Sequence, residues 1–340
     1  MHTLTTVTKD DFDAALHAGF RENTAKEYKV LAQASRETVA SFGEGSNDAN
    51  WRLRDCPMCL GPGPDGRKLF SKFGMDVVTC MHCGFTYSRH VLRAEADRAL
   101  YEQSPSQSAY HQLKRNEAYT TLERIKCRYV VQEAARFLPR GAPIHFLDIG
   151  TGSGTLLDAG AAAGWVVEGI EGNAVFYGIC RNAGLKVAHG YFPACQPQRR
   201  SYDVIAMLDV LEHVEAPLEF LGAVASLLSD RGVLIVQVPN FRSLLVQIEW
   251  SDNNNFCVGH WNHFDCTTLS ALCAKAGLAT LGIETIISEL DRILAYPPDR
   301  VESTAQVLSG TRVVASDLNS QWLHNHRLGY KVLGHFRKCG

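Results

Sequence analysis

The stretch Leu147-Asp-Ile-Gly-Thr-Gly-Ser-Gly154 decides the fold class, because it joins an apolar run to a segment of helical pattern. Residues 144–149 read as a buried strand. The glycines that follow allow a sharp turn and a close approach of the backbone to a ligand. The G-x-G-x-G spacing after an acid differs from a dinucleotide fingerprint, and no Lys-Ser/Thr ending of a phosphate loop is present. We expect a nucleoside ligand without a pyrophosphate; the alternative is a tight turn with no ligand.

Strand-like and helical segments alternate on both sides of this loop. The order predicts an α/β fold: a Rossmann-like, mostly parallel seven-stranded sheet with helices on both faces. Two β-prone runs near the end, 279–287 and 291–296, are too close together for a crossover helix, so we expect them to pair antiparallel at one edge. The remaining predicted strands are 144–149, 165–170, 185–188, 202–208 and 232–238, and the helices between and after them are 156–163, 174–183, 217–229 and 267–277.

Polar residues follow two of the predicted strands. Glu171 ends the second strand, where a carboxylate can accept hydrogen bonds from ribose hydroxyls. Asp209, Glu212 and His213 come directly after the strand at 202–208, and ligands of open α/β sheets bind at the carboxyl ends of strands. On a helical turn the i, i+3 and i+4 spacing would bring these three side chains together.

Residues 140–300 resemble class I S-adenosylmethionine-dependent methyltransferases through the glycine loop, the strand ending at Glu171 and the run from Asp203 to His213. The resemblance implies that Glu171 holds the ribose and that the backbone near Leu208 lies close to the sulfonium. One departure is Gly190-Tyr191-Phe192, where many members have a Gly-Asp pair that contacts adenine. The loop around the methionine part would be shaped by Gly150, Gly152 and Gly154, with Asp148 supporting it.

The run from Asp209 to His213 is similar to the acid-x-x-Glu-His element of ubiquinone-biosynthesis O-methyltransferases and small-RNA 2′-O-methyltransferases. In those families the element is associated with a metal and a further downstream His. The resemblance implies a divalent ion that would lower the pKa of an acceptor hydroxyl. Without an ion, His213 would be the general base, and the element also occurs in members that bind no metal there. The predicted ligands are Asp209, Glu212, His213 and His263, with His260 as the alternative fourth.

The segment 252–264 is polar, aromatic and glycine-bearing. It lies between the strand at 232–238 and the helix at 267–277. We expect an acceptor-binding lid, and a solvated loop is the alternative.

Two cysteine pairs, C-x2-C, a twenty-residue gap and C-x2-C, have the form of a zinc ribbon. Four thiolates close the coordination sphere, so we expect structural zinc at Cys56, Cys59, Cys80 and Cys83. The segment is too small to bury its own core, and metal binding would replace that core. A redox dithiol is the alternative. The other cysteines have no comparable spacing and are expected to be buried free thiols.

The composition and net charge limit the classes of partner that the chain can bind. The 340 residues are 46% hydrophobic and 21% charged, with 34 Lys and Arg against 36 Asp and Glu. A net charge of −2 offers no basic field for nucleic acid, and residues 51–99 carry only eight basic against five acidic residues. The N-terminus lacks the features of a signal peptide, and no apolar run reaches membrane-spanning length. We therefore expect a cytoplasmic protein with a small-molecule acceptor; the oligomeric state is left open.

The predicted organisation is an N-terminal helical segment (1–50) ending in a polar linker at 42–47, a zinc ribbon (51–92), a methyltransferase domain (93–300) and a C-terminal extension (301–340). The predicted function is S-adenosylmethionine-dependent methylation of a small hydroxylated acceptor, a sugar or natural-product intermediate, most simply at oxygen. N- and C-methylation stay open. The alternatives are an RNA methyltransferase that grips the polymer with the ribbon, and a noncatalytic binding module.

Overall fold

The computed structural model describes residues 6–17, 19–43, 49–139 and 141–339. The chain begins with the predicted pair of helices, α1 (Lys9–His17) and α2 (Phe20–Phe42). Phe12 and Phe20 are buried on their inner faces, and the Phe12 ring meets the edge of Tyr129 at 5.2 Å between ring centres. Most of the predicted linker at 42–47 lies outside the described residues.

The cysteine-bearing segment folds into short strands: β1 (Trp51–Leu53), β2 (Gly66–Lys72), β3 (Met75–Cys80), β4 (Thr86–Ser88) and β5 (His90–Leu92). Strands β2, β3 and β4 form an antiparallel sheet, and β1 pairs with β5. We call residues 51–92 the ribbon. Its side chains Val78, Phe85 and Tyr87 are fully buried in the same apolar cluster as strands of the large sheet. The ribbon therefore shares the core of its neighbour, which accounts for how so short a segment buries apolar surface.

Three helices connect the ribbon to the large sheet: α3 (Ala94–Gln103), α4 (Pro105–Lys114) and α5 (Glu117–Ala135). The side chains of Ser104 and Asn116 cap α4 and α5 by accepting hydrogen bonds from backbone N–H groups of the first turn. These caps set where each helix begins and so which of its residues face the sheet.

The large sheet has seven strands in the order β12-β13-β10-β9-β6-β7-β8. The five strands from β10 to β8 are parallel, and β13 is antiparallel to both of its neighbours. The predicted fold class is confirmed. The elements, in chain order, are β6 (His145–Ile149), α6 (Thr155–Ala162), β7 (Val166–Glu171), α7 (Ala174–Asn182), β8 (Val187–His189), β9 (Tyr202–Leu208), α8 (Pro217–Leu227), β10 (Leu228–Pro239), α9 (Leu244–Glu249), β11 (Asn262–His263), α10 (Cys266–Lys275), β12 (Leu278–Ile286), α11 (Leu290–Ile293), α12 (Pro298–Ser309), α13 (Ser320–Asn325) and β13 (Lys331–Lys338).

The antiparallel edge differs from the prediction in its strands. Strand β12 pairs with β13 at 331–338, whereas the run predicted to be its partner, 291–296, contains the short helix α11. Leu290 and Ile293 of that helix pack with Leu244 and Ile248 of α9, so these two apolar residues face α9 at a helical spacing. Proximity in sequence therefore suggested the wrong partner. The four-part division of the chain stays a prediction, although residues beyond 301 do supply a strand to this sheet.

The central strands are apolar on both sides, as a sheet covered on both faces requires. Leu147, Ile205 and Val236 pack into one apolar cluster, and their chain neighbours Phe146, Val204 and Ile235 pack into a second. This arrangement places the carboxyl ends of β6, β7 and β9 at one edge of the sheet, where the polar residues singled out above are found. Within the described ranges, none of the helices is long and apolar enough to cross a bilayer.

Candidate functional site

The glycine loop leaves β6 and enters α6 with three left-handed backbone conformations. The φ angles of Gly150, Gly152 and Gly154 are 78°, 57° and 86°. A Cβ on Gly154 would lie 2.3 Å from Leu185 Cδ1, whereas a Cβ on Gly152 would meet nothing within 4 Å. Gly154 thus serves the packing of the loop against the chain after α7, and the space beside Gly152 is open for a ligand.

Glu171, at the end of β7, is tied to this loop. One carboxylate oxygen accepts a hydrogen bond from the Gly152 N–H at 2.6 Å, and the other accepts one from the Asn173 N–H at 2.7 Å. Burial raises the pKa of Glu171, and the donating backbone N–H groups oppose that rise. Because a carboxylate offers about four acceptor positions, capacity remains for two hydroxyl donors. The geometry suits the predicted ribose contact, which stays a prediction.

Asp148, the last acid before the glycines, is almost fully buried. Burial raises its pKa to about 8, the negative charge of Glu171 adds to the rise, and Lys126 of α5 opposes it. Lys126 was missed by the sequence analysis. The signal was available, because Lys126 shares one buried helix face with Leu122 and Val130, an unusual place for a lysine.

Asp209 does not lie on a helical turn with Glu212 and His213. Its φ is 56°, and the turn that follows, Leu211–His213, is a single 3-10 turn. The Asp209 carboxylate instead accepts hydrogen bonds from Lys331 at 2.8 Å and from the Gln237 amide at 3.1 Å. Burial alone would raise the pKa of Asp209, but the ammonium groups of Lys331 and Lys126 outweigh burial and hold it below its ordinary range. Asp209 is therefore the partner of a lysine from β13.

The group that could hold a metal ion is Glu212, His213 and His260, whose potential ligand atoms lie within 4.8 Å of one another. Glu212 is 1% exposed, and neither of its carboxylate oxygens has a hydrogen-bond partner among the described residues. Burial, followed by the charge of Asp209, raises the pKa of Glu212 to about 8. A buried carboxylate without a partner is costly unless it is protonated or binds a cation.

The imidazole of His213 has a defined proton arrangement. Its Nδ1 lies 2.8 Å from the carbonyl oxygen of Gly259 and 3.0 Å from the hydroxyl of Tyr101. A carbonyl oxygen only accepts, so Nδ1 carries the proton and Nε2 keeps its lone pair. Burial lowers the pKa of His213, which favours this neutral form. Tyr101, on α3, was not predicted from the sequence. Its backbone carbonyl accepts a hydrogen bond from the Asn173 side chain at 3.0 Å.

His260, rather than His263, faces the His213 ring. The two ring centres are 4.7 Å apart, and His260 Nδ1 lies 3.0 Å from the Asn255 carbonyl oxygen, so its Nε2 is also unprotonated in the neutral form. His263 lies in β11, where its Nε2 is 3.4 Å from Ser88 Oγ. Burial, followed by the charge of Arg54, lowers the pKa of His263 to about 3. Of the predicted ligands, Glu212, His213 and the alternative fourth, His260, lie close together, and Asp209 and His263 do not belong to this group.

The segment 252–264 is packed into the protein rather than solvated. Phe256 and Trp261 are 2% and 1% exposed, and β11 pairs antiparallel with β4 of the ribbon. The solvated-loop alternative is therefore wrong. The segment closes one side of the Glu212–His213 turn, as expected of a lid, but it is anchored as a fourth strand of the ribbon sheet.

Two lysines share a single carboxylate beside this site. Lys126 Nζ lies 2.6 Å from one Glu123 oxygen, and Lys114 Nζ lies 3.4 Å from the other. Lys114 also lies over the rings of Tyr110 and Tyr119, at 5.2 and 4.8 Å. The two ammonium groups therefore share the Glu123 carboxylate, and their charges also act on Asp209.

Tyr191 belongs to the stretch Gly190-Tyr191-Phe192, which departs from the Gly-Asp pair of the methyltransferases that the sequence resembles. A Cβ added to Gly172 would meet the Tyr191 ring at 2.2 Å, so the ring packs directly on the backbone that follows Glu171. Tyr191 is 41% exposed. An aromatic face therefore stands beside Glu171, the carboxylate predicted to hold the ribose.

The four ribbon cysteines meet at one point. The Sγ–Sγ distances are 3.6 Å for Cys56 and Cys83 and 3.6 Å for Cys59 and Cys80. All four sulfurs lie within 4.8 Å of one another. Zinc–sulfur bonds of 2.3 Å in a tetrahedron require sulfurs about 3.8 Å apart, so the four thiols fit a closed zinc site.

Comparisons with known proteins find similarity to methyltransferases. A family model described as "Methyltransferase domain" matches residues 122–282. The curated protein "Ubiquinone biosynthesis O-methyltransferase" of Caulobacter sp. (strain K31) is 32% identical over 104 residues, covering 28% of this chain and 41% of that protein. Its namesake from Caulobacter vibrioides is 31% identical over 128 residues, covering 32% and 48%. The chain thus spans less than half the length of these relatives.

Among solved structures, this chain is similar to an S-adenosylmethionine-dependent methyltransferase from Clostridium acetobutylicum. The TM-score is 0.46 and the identity 10%, with 68% of this chain and 99% of that one covered.

Proposed function

We propose that this chain, which contains a class I S-adenosylmethionine-dependent methyltransferase domain, methylates a hydroxyl oxygen of a small acceptor. The acceptor class is a hydroxylated sugar or natural-product intermediate. The name of the curated relatives adds hydroxylated aromatic rings to the compounds worth testing.

The observation that carries the proposal is the state of His213. Its Nδ1 proton is held by the Gly259 carbonyl, so Nε2 is an available proton acceptor. His213 lies just past the end of β9, and Val210, three residues before it, packs against Gly150 of the glycine loop. A general base of this type suits proton removal from a hydroxyl near neutral pH.

The proposed reaction balances without a further reactant. The acceptor oxygen forms a bond to the methyl carbon as the sulfur–methyl bond breaks, and the hydroxyl proton passes to His213 Nε2. S-adenosylhomocysteine, the methylated acceptor and one proton are the products. The main contribution expected of the candidate active site is to hold the acceptor oxygen in line with the sulfonium.

A divalent cation is a second candidate for activating the acceptor. Glu212, His213 and His260 would hold it, and the observation in its favour is the buried Glu212 carboxylate without a partner. When bound, such a cation would supply Lewis-acid stabilisation of the ionised hydroxyl. A carboxylate with two imidazoles suits several divalent metals, among them zinc, manganese and ferrous iron. Activity that resists EDTA dialysis would favour the base-only form.

We further propose that the four ribbon cysteines hold structural zinc. Their mutual distances and the closed four-sulfur arrangement support this assignment. A closed site has no open position for a substrate, so zinc would stabilise the ribbon and the β4–β11 pairing rather than take part in methyl transfer.

The test is transfer of an isotope-labelled methyl group from S-adenosylmethionine to a panel of sugars, catechols, the matching amines, and RNA. The proposal expects labelled methyl ethers from a hydroxyl compound and at least a 100-fold loss of kcat in His213→Gln. His326→Gln, which removes a histidine stacked on Trp322, is the matched control and should retain activity. Labelling confined to amines or RNA, or full activity in His213→Gln, would contradict the proposal.

A further inference from the structure

Arg54 of the ribbon, two residues before Cys56, reaches out of the ribbon into the methyltransferase domain. Its side chain is buried, with the residue 9% exposed. The guanidinium donates to the Ser88 carbonyl at 3.0 Å and to the Glu215 carbonyl at 3.1 Å. It also donates to the Trp261 carbonyl and, at 3.0 Å, to the Asn262 side-chain oxygen.

These acceptors lie on three segments. Ser88 is in β4 of the ribbon, Glu215 follows the Glu212–His213 turn, and Trp261 and Asn262 belong to the segment that carries Gly259 and His260. Every hydrogen bond given above ends on a neutral oxygen. Arg54 is therefore a multipoint clamp between segments rather than half of an ion pair.

The clamped segments hold the Glu212–His213 turn directly. The Trp261 N–H donates to the Glu212 carbonyl at 2.8 Å. The Asn262 side-chain N–H group donates to the carbonyls of Leu211, at 3.0 Å, and Val214, at 2.7 Å. The same segment supplies the Gly259 carbonyl that fixes the proton of His213. Arg54 bonds directly to Trp261 and Asn262, and Gly259 lies two residues before Trp261.

The chemistry of arginine suits this task. A guanidinium presents five N–H donors in a rigid plane, and a lysine ammonium presents three on a flexible stem. An arginine side chain can donate hydrogen bonds to four acceptors on three segments at once, and a lysine side chain cannot. The position therefore requires an arginine rather than any cation.

We infer that Arg54 is a positioning residue, through which the ribbon sets the orientation of His213. The inference rests on the proposed function only in that His213 is the base of methyl transfer. Arg54 follows β1, and its partner Ser88 ends β4. The geometry of the candidate active site therefore depends on the ribbon being folded. The ribbon is then a working part of the active site and not an appendage.

The test uses full-length protein labelled with [15N]histidine and observes the ring nitrogens of His213, assigned by their absence in His213→Gln. In the unaltered chain, a proton on Nδ1 and a bare Nε2 are expected. Arg54→Met and Arg54→Lys should both shift the His213 signals toward a mixture of tautomers and lower kcat at least 10-fold, with KM for S-adenosylmethionine changed less than threefold. Arg67→Met, an exposed arginine in β2 of the same ribbon, is the matched control and should change neither.

Metal content and near-ultraviolet circular dichroism establish that each variant is folded. If Arg54→Met does not fold, the His213 signals are measured in Arg54→Lys and in Asn262→Ala, which alter the donor and one acceptor of the clamp. Unchanged His213 signals in a folded Arg54 variant would overturn the inference. This readout needs no methyl transfer, so it is separable from failure of the proposed function, which S-adenosylhomocysteine binding and the acceptor panel report.

Discussion

His213 Nδ1 lies 2.8 Å from the carbonyl oxygen of Gly259, and this contact joins the end of β9 to the segment before β11. It determines which nitrogen of the imidazole is available for chemistry. The donor and acceptor are forty-six residues apart in sequence. The segment that carries Gly259 is held in place by β11, which pairs with β4 of the ribbon.

The pH dependence of kcat follows from this arrangement. Burial lowers the pKa of His213 from its ordinary value near 6.5. A general base acts when it is unprotonated, so kcat should rise with pH, reach half of its plateau below pH 6.5 and be flat from pH 7 to 8. The measurement is a kcat profile at saturating substrates from pH 5 to 9. A midpoint above pH 7 would contradict His213 as a buried neutral base.

Lys126 and Lys114 give a prediction about ligand charge. They share the single carboxylate of Glu123, and we expect Lys126 to bind the amino-acid carboxylate of the cofactor as well. Lys126→Met should weaken S-adenosylhomocysteine binding roughly 10- to 100-fold, because charged hydrogen bonds contribute about 1.5–3 kcal/mol. Binding of 5′-methylthioadenosine, which lacks that carboxylate, should change less than threefold.

Calorimetric titration of both ligands measures the difference. Lys186→Met, which removes a half-exposed lysine paired with Glu168, is the control. Equal losses for the two ligands would mean that Lys126 supports the fold of the pocket and does not bind the carboxylate.

The glycine loop offers a matched pair of substitutions. Both Gly152 and Gly154 have positive φ, so alanine costs about 1–2 kcal/mol at either position. At Gly154 the new methyl group would also collide with Leu185, adding about 1–3 kcal/mol of overpacking. Urea unfolding should therefore rank Gly154→Ala as the less stable variant. Equal free energies of unfolding would show that the Leu185 side chain moves aside without cost.

Metal removal tests the ribbon. Cys80→Ser leaves three thiolates, and the chain should then release zinc readily to a chelator and lose ribbon structure. Because Val78, Phe85 and Tyr87 are part of the large core, the loss should also lower the melting temperature of the whole protein. Cys273→Ser, at a buried thiol on α10, is the control for loss of a cysteine and should keep one zinc per chain. Zinc retained at one per chain in Cys80→Ser would contradict the assignment.

The sequence predicted the features that depend on local pattern. The alternation of strands and helices, the glycine turn at 150–154 and the convergence of Cys56, Cys59, Cys80 and Cys83 all follow from residue spacing within short segments. The structure has each of them.

The features that were missed depend on contacts between distant segments. Asp209 meets Lys331, which arrives on β13, and Tyr101 reaches His213 from α3. The sequence left the fourth ligand open between His263 and His260. In the structure His263 lies in β11 beside Ser88 of the ribbon, and His260, which precedes the strand, faces His213. Local periodicity carries no information on which strand a two-residue segment will join.

We expect this chain to bind S-adenosylmethionine at the glycine loop and Glu171, and calorimetric titration with S-adenosylhomocysteine measures that binding. One site per chain is expected, with a Kd in the range usual for enzyme substrates, roughly 1 µM to 1 mM. Binding should be at least 10-fold weaker in Glu171→Gln. The NH2 group of glutamine would then face the N–H of Gly152 or Asn173, and two donors cannot form a hydrogen bond. Glu219→Gln, on the exposed face of α8, should bind as the unaltered chain does. A folded, zinc-loaded protein that shows no binding at millimolar ligand would contradict the account.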